Sequence, residues 1–451
     1  MQSINKMNEL KISKLKQKES SFDEEFSAVI GYEPIKQELK RIIDIMNNPQ
    51  KYKDLGVSTP RGILIDGKPG LGKTLMAKCF IKASGRKSYI CRKDKPDGDF
   101  VKEIRKIYQE AKNNAPSIVF LDDMDKFANE DDKHKNAEEF ITIQSCIDDM
   151  KEVEVFTIAT TNDIKNLPDS LLRVGRFDKR FTMKNPKDDE AEKIIEYYLS
   201  QKKFVDNVNL KQISKLLVGC SCAQLETVIN EAGIYAGFEN KKTIEISDII
   251  RAIMRIIYEA PEELSSEQKE NIKEIAYHEA GHAVVAEILE PESVNIISVK
   301  KYSGDVRGIT SYYQDDNSFT KKKYMENRVL SLLAGKCANE IVFGITDVGV
   351  YSDMRKAFRL VEKFIDDYCS YGFNEYSAYQ YCDEISDEFY ARKEKFISRE
   401  IDRYYQMTRK ILADNREFLD KLANELIKKE TLITEDVQQI KKTCKIVNSN
   451  Y

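Results

Sequence analysis

At 451 residues the chain exceeds one ordinary domain, and two or three are expected. Hydrophobic residues make up 41% and charged ones 33%, the balance of a globular protein with a sizeable core. With 72 basic and 76 acidic residues interspersed, the net charge of −4 gives no reason to expect nucleic acid as the main partner.

Residues 1–25 are polar and lysine-rich, lack the apolar stretch of a secretory signal, and read as an N-terminal arm. Apolar runs such as Ser117–Leu121 and Ala283–Ala286 are far shorter than a bilayer requires, so no membrane segment is expected. The nine cysteines form no framework, and Cys220-x-Cys222 has the wrong spacing for a redox or zinc pair. Free thiols in a reducing compartment, the cytoplasm, are the expectation.

From residue 26 to 186, short apolar runs alternate with amphipathic helices. Ile63–Ile65, Ser117–Leu121 and Val155–Ala159 are the expected strands, β-branched and apolar enough for a parallel sheet covered on both faces. Residues 187–262 carry only helical periodicity, a small α-domain that ends in the acidic hinge Glu259–Leu264. Residues 263–445 read as mostly helical, interrupted by a strand-like stretch from Val294 to Tyr313. The fold class is therefore multidomain: α/β first, then largely α.

Gly67-Lys-Pro-Gly-Leu-Gly72-Lys73-Thr74 follows the first strand and opens a helix from Leu75 to Ala83. In this P-loop pattern Gly67, Pro69, Gly70, Leu71 and Gly72 wrap phosphates. Lys73 reaches the β- and γ-phosphates, Thr74 binds Mg²⁺, and Leu75 sits beside them. ATP and Mg²⁺ are the implied ligands. The strand Ser117–Leu121 ends in Asp122-Asp123, with Asp122 expected to hold Mg²⁺ through water and Asp123 to orient an attacking water. Thr160-Thr-Asn162 closes the third strand and puts a polar amide near the γ-phosphate. Arg173 and Arg176, three apart in Leu171–Asp178, read as arginine fingers offered to a neighbouring subunit, which implies a ring.

His278-Glu279-Ala-Gly-His282 lies in a helix expected from about Glu270 to Leu289. Spacing of i, i+4 puts both imidazoles on one face, able to grip one Zn²⁺, with Glu279 beside the attacking water as catalytic base. The chain has three histidines. The third, His134, sits in an acidic stretch and reads as a solvated loop residue, so the remaining ligand should be a downstream carboxylate. Glu340 and Asp353 both qualify, and spacing alone does not choose between them.

Together these motifs, in this order, resemble the FtsH family of AAA+ zinc proteases over nearly all of residues 26–440. The resemblance also runs through Gly31-Tyr-Glu-Pro-Ile-Lys36, Gly349–Met354 and Ala413-Asp-Asn-Arg416. It implies a AAA+ nucleotide-binding domain at 26–186, a helical lid at 187–262 and a zinc metallopeptidase domain at 263–445. It implies a homo-hexamer acting on polypeptide substrates, with Ile30 and Gly31 beside the nucleotide. It also implies one zinc per chain held by His278, His282 and Asp353. Asp353 is favoured because the family's ligand lies in a Ser-Asp-like turn opening a helix, which leaves Glu340 structural.

The sequence departs from that family in three places. The family's transmembrane helices have no counterpart in it, and Asp123 stands where the family has Glu. The stretch Tyr89–Asp99 lacks the aromatic pore signature and offers Arg92, Lys93, Asp94, Lys95 and Asp97 instead. Strongly hydrated groups grip poorly, and a carboxylate about 1 Å out of place costs on the order of a hundredfold in rate. Slow ATP hydrolysis and weak unfolding are therefore expected of an ATP-dependent zinc metalloendopeptidase. The alternatives are an ATP-gated peptidase and a remodelling ATPase. Phe100 and Tyr89 are the aromatic rings nearest the altered stretch.

Overall fold

A computed structural model describes residues 22–57, 60–94, 97–128, 137–173, 175–203, 209–301, 308–313, 322–345, 350–366 and 387–448. His134, Lys95 and Gly349 lie outside them. The chain forms two compact units, Met1–Lys203 with Gly219–Asn230, and Phe204–Val218 with Glu231–Tyr451. The stretch 187–262 is shared between the two.

The first unit is built on a five-stranded parallel sheet. Its strands are β1 (Gly62–Asp66), β2 (Lys87–Cys91), β3 (Ser117–Leu121), β4 (Val155–Thr161) and β5 (Lys179–Thr182), in the order β2-β3-β4-β1-β5. Register pairs Ile63 with Ile158 and Val119 with Thr157. Every residue of β1, β3 and β4 is buried, as strands covered on both faces must be. Helix α1 (Glu33–Asn47) covers one face through Leu39, Ile42, Ile43 and Met46, a single helical stripe. Helix α2 (Lys73–Ser84) follows β1, and α3 (Asp97–Asn113) follows β2. The C-terminal ends of β1, β3 and β4 lie side by side, the place where open parallel sheets take ligands.

β2 and β5 were not among the expected strands. They are the sheet's edges and are partly exposed, so they lack the fully buried apolar run that marked the other three.

In the second unit, helix α4 (Ile272–Leu289) is buried almost all round from Ile275 to Ile288. It packs against α5 (Lys322–Phe343), α6 (Asp387–Asp414) and α7 (Arg416–Lys429). Gly281 makes the first of these contacts possible. A Cβ there would lie 2.7 Å from the Ala334 carbonyl oxygen and 2.7 Å from the Ala338 Cβ. A small antiparallel sheet, β6 (Val294–Ser298) flanked by β7 (Ile309–Tyr312) and β8 (Thr431–Ile433), stands beside α4. Glu287, fully buried near the end of α4, accepts the amides of Glu292 and Val294, Gln438 Nε2 at 2.7 Å and Lys441 Nζ at 3.1 Å. That carboxylate ties the turn after α4 to helix α8 (Thr434–Lys442).

Candidate functional site

The loop between β1 and α2 turns through left-handed backbone at Gly70 (φ 80°) and Gly72 (φ 86°), where a side chain is strained. At Gly70 space is short as well, since a Cβ would meet Ser221 Oγ at 2.9 Å. Lys73 Nζ donates to the carbonyls of Gly67 (2.7 Å) and Lys68 (2.9 Å) and to Asn162 Oδ1 (2.8 Å). Burial lowers the proton affinity of this amine, against the pull of Asp123 and Asp125.

Asp122, at the end of β3, accepts the Thr74 hydroxyl at 2.9 Å and the Thr160 hydroxyl at 2.8 Å, both on Oδ1. Arg92 pairs with its Oδ2. Burial pushes this carboxyl up, but Arg92, Thr160 and Thr74 together hold it below the usual carboxylate range. Asp123 adopts a left-handed conformation (φ 55°); its amide sits 2.9 Å from Thr160 Oγ1 and its carboxylate 2.7 Å from Lys126 Nζ. Asp125 accepts the backbone amide of Asn162 at 2.9 Å, and so fixes the residue that meets Lys73. The role of Asp125 was not read from sequence, although it lies two residues past the Asp pair that was.

Beside the loop a cavity of about 320 Å³ is lined by Val29, Ile30, Tyr32, Gly70, Leu71, Gly72, Leu75, Ile194, Tyr198, Cys222 and Ala223. Its apolar lining and its contact with the P-loop suit a nucleotide base. Gly31 (φ 78°) packs against Glu190, which accepts the Tyr32 amide at 2.9 Å. Ile194, Tyr198 and Ala223 come from segments far along the chain and carry no motif of their own.

The two arginines differ. Arg176 bonds the Ser170 carbonyl and Asp148 Oδ2 (2.8 Å) of its own chain, whereas Arg173 is exposed. Phe100 is 0% exposed and packs edge-on against Phe127, and Tyr89 lies on β2, its hydroxyl buried without a partner.

In the second unit, His278 and His282 lie one turn apart on α4, and Asp353 lies in the first turn of α9 (Tyr351–Asp366). Their donor atoms form a triangle: Nε2 to Nε2 3.1 Å, His282 Nε2 to Asp353 Oδ2 3.3 Å, His278 Nε2 to Asp353 Oδ2 3.4 Å. Ligands at ~2.0–2.1 Å from a tetrahedral zinc stand ~3.3 Å apart, so the three atoms fit one ion with a position left open. Among the described residues this is the one group of His, Cys, Asp or Glu spaced for a metal. His282 Nδ1 lies 2.6 Å from the Ser331 carbonyl, which makes Nδ1 the protonated nitrogen and leaves Nε2 for a metal. Burial raises Asp353, but His278 and His282 outweigh it and hold the carboxyl far below its ordinary range. Glu340 instead bonds Lys336 and Tyr405.

Glu279 is buried, and burial pushes its carboxyl above the ordinary range, partly offset by His278, His282 and Thr310. Thr310 Oγ1 of β7 stands 2.7 Å from Glu279 Oε2. The cradle is tight: a Cβ on Gly308 would lie 2.6 Å from the Glu279 carboxylate, and one on Gly335 would run into the His278 ring. Thr310 and Ser331 were not singled out in the sequence, because nothing local marks a residue that touches the site from another element.

A P-loop sheet followed by a helical domain with this histidine and carboxylate triangle defines a two-part class, a nucleotide-site domain joined to a candidate metal-site domain. Residues 63–185 match the family model described as "ATPase family associated with various cellular activities (AAA)", and residues 264–440 match "Peptidase family M41". The chain is 31% identical to the ATP-dependent zinc metalloprotease FtsH 2 of Phytoplasma mali, over 93% of this chain and 63% of that protein. It is 29% identical to FtsH 2 of a Thermoanaerobacter species, over 92% of this chain and 82% of that one. It is also 29% identical to FtsH of Bacillus subtilis, over 92% and 71% respectively. The chain thus carries an AAA region followed by an M41 peptidase region and is similar to FtsH proteins over 92–93% of its length. It spans less than two thirds of the length of FtsH 2 of Phytoplasma mali and of FtsH of Aster yellows witches'-broom phytoplasma. Among the described residues no helix is long and apolar enough to cross a membrane.

Proposed function

We propose that the chain is an ATP-dependent zinc metalloendopeptidase that degrades protein substrates as a homo-hexameric ring in the cytoplasm. The observation that carries this reading is the His278, His282 and Asp353 triangle with Glu279 beside it. His278, His282 and Asp353 would hold one zinc per chain. When bound, the ion supplies Lewis acidity toward water and a peptide carbonyl. Glu279 takes a proton from the attacking water and returns it to the leaving amine, and its burial favours the first transfer.

In the ATPase domain Lys73 and the loop from Gly67 to Thr74 would bind the phosphates of ATP. Thr74 and Asp122 would hold Mg²⁺, Asn162 would face the γ-phosphate and Asp123 would orient water. The base would lie between Ile30, Gly31 and Leu75. Arg173 is exposed and free to reach a neighbouring subunit. Arg176, paired with Asp148, braces the turn that carries Arg173 and would act in trans only by exchanging that pair. The free thiols among the described cysteines favour a reducing setting.

The experiment is casein cleavage with and without ATP, together with zinc content. Cleavage that depends on both supports the reading, and a zinc-free chain that cleaves as fast would sink it. Weak unfolding is also proposed, because Phe100 is buried while Arg92 and Lys93 pair with Asp122 and Glu139. Rapid ATP-dependent destruction of a stably folded reporter offered beside casein would refute that part.

A further inference from the structure

The strand β2 ends beside the candidate magnesium site. Its last residue, Cys91, accepts the Asp122 amide through its carbonyl at 3.0 Å, so the backbone holds Arg92 next to the Asp122 side chain. The Asp122 carboxylate is almost wholly buried. Oδ1 takes two hydroxyls, and Oδ2 takes the guanidinium of Arg92, which is 60% exposed. The adjoining Lys93 stands 3.8 Å from the buried Glu139. A guanidinium does not lose its charge, so its claim on Asp122 persists at every working pH.

We propose that Arg92 competes with Mg²⁺ for the Asp122 carboxylate and sets how much metal the nucleotide site needs. This inference rests on the nucleotide-site reading given above. Mg²⁺ held near Thr74 brings two positive charges toward a carboxylate that already carries one cationic partner. Like charges a few ångströms apart repel, even with solvent between them. The cheaper adjustment is for Arg92 to leave, since an exposed long side chain regains both water and rotamer freedom. Metal–nucleotide loading therefore releases Arg92 from Asp122, and the altered stretch that carries Arg92 becomes responsive to nucleotide.

The test measures binding of methylanthraniloyl-ADP to the full chain by fluorescence while Mg²⁺ is titrated, with EDTA for the metal-free point. Arg92→Gln should lower the half-saturating Mg²⁺ on the order of tenfold. It should leave metal-free ADP affinity unchanged. Arg92→Lys, which keeps the charge, should stay near wild type, as should Lys93→Gln. A thermal melt of each variant establishes that it is folded. An unchanged Mg²⁺ midpoint in folded Arg92→Gln would overturn the inference while Lys73-dependent ADP binding kept the nucleotide site intact. A loss of metal-free ADP affinity with the midpoint unmoved would make Arg92 a phosphate ligand, and overturn it too. If Lys73→Ala bound ADP as tightly as wild type, the nucleotide-site reading would fall and take this inference with it.

Discussion

In the peptidase unit, three donor atoms face one another across 3.1–3.4 Å, and the neighbours of His282 leave Nε2 available. In the ATPase unit the corresponding groups are already engaged with one another: Lys73 with Gly67, Lys68 and Asn162, Asp122 with Arg92 and two hydroxyls, Arg176 with Asp148. The first arrangement already sets its three donor atoms at the spacing one ion needs. The second must exchange partners when it binds. A preorganised site loses function when one atom is moved, whereas a site that exchanges partners is tuned by the strength of the pairs it breaks.

That contrast is broken or sharpened first at the arginines. Arg173→Ala should lower ATP turnover by about a thousandfold, the usual scale for a finger acting across an interface. Arg176→Ala should cost less turnover and more stability, because its guanidinium bonds Ser170 and Asp148 at home. Steady-state hydrolysis and thermal melts of the two variants check this. If Arg176→Ala lost all turnover with no change in melting, the division of labour would be reversed. Mixing Lys73→Ala with Arg173→Ala subunits should restore turnover at interfaces where both elements are intact.

Glu279→Gln comes next. It should abolish casein cleavage by at least about a hundredfold while zinc stays at one per chain, because a base is lost and no ligand is. Zinc lost along with activity would instead place Glu279 in the metal's grip.

Gly335→Ala probes the preorganisation itself. A methyl group there would collide with the His278 ring, so the imidazole must turn off the axis it shares with His282 and Asp353. Zinc affinity, measured by competition with a chromogenic chelator, should fall by about tenfold, the scale on which supporting residues act. Unchanged affinity would mean that the helices yield more easily than their packing suggests.

How far this was legible follows from the same physics. The three central strands are runs of buried β-branched residues, and HExxH and the P-loop announce themselves at fixed spacing. The edge strands β2 and β5 are partly exposed and read as nothing in particular. Asp353 and Glu340 were indistinguishable by spacing. In three dimensions Asp353 reaches both imidazoles while Glu340 is bound by Lys336 and Tyr405. The supporting residues Thr310, Ser331 and Asp125 escaped because each acts on a motif from another element. Arg92 was read as a solvated charge; its partner Asp122 lies 30 positions on and meets it only once β2 and β3 pair.

An effect no larger than that of Gly335→Ala is expected of Thr310→Val, and it tests whether the base is oriented or merely buried. The Thr310 hydroxyl has one hydrogen and two acceptors within reach, the Glu279 carbonyl at 3.1 Å and the carboxylate at 2.7 Å. The shorter, charge-assisted bond is the one it favours. Valine keeps the shape and removes the donor, leaving a buried carboxylate with one partner fewer. Bonds to charged groups contribute about 1.5–3 kcal/mol, part of which relaxation of the carboxylate recovers. Casein cleavage should therefore fall about tenfold, with zinc content and melting temperature close to wild type, and Thr310→Ser should restore most of the rate. A full rate in Thr310→Val would show that α4 and its packing alone aim Glu279. A loss as deep as that of Glu279→Gln would mean that the hydroxyl itself takes part in proton transfer.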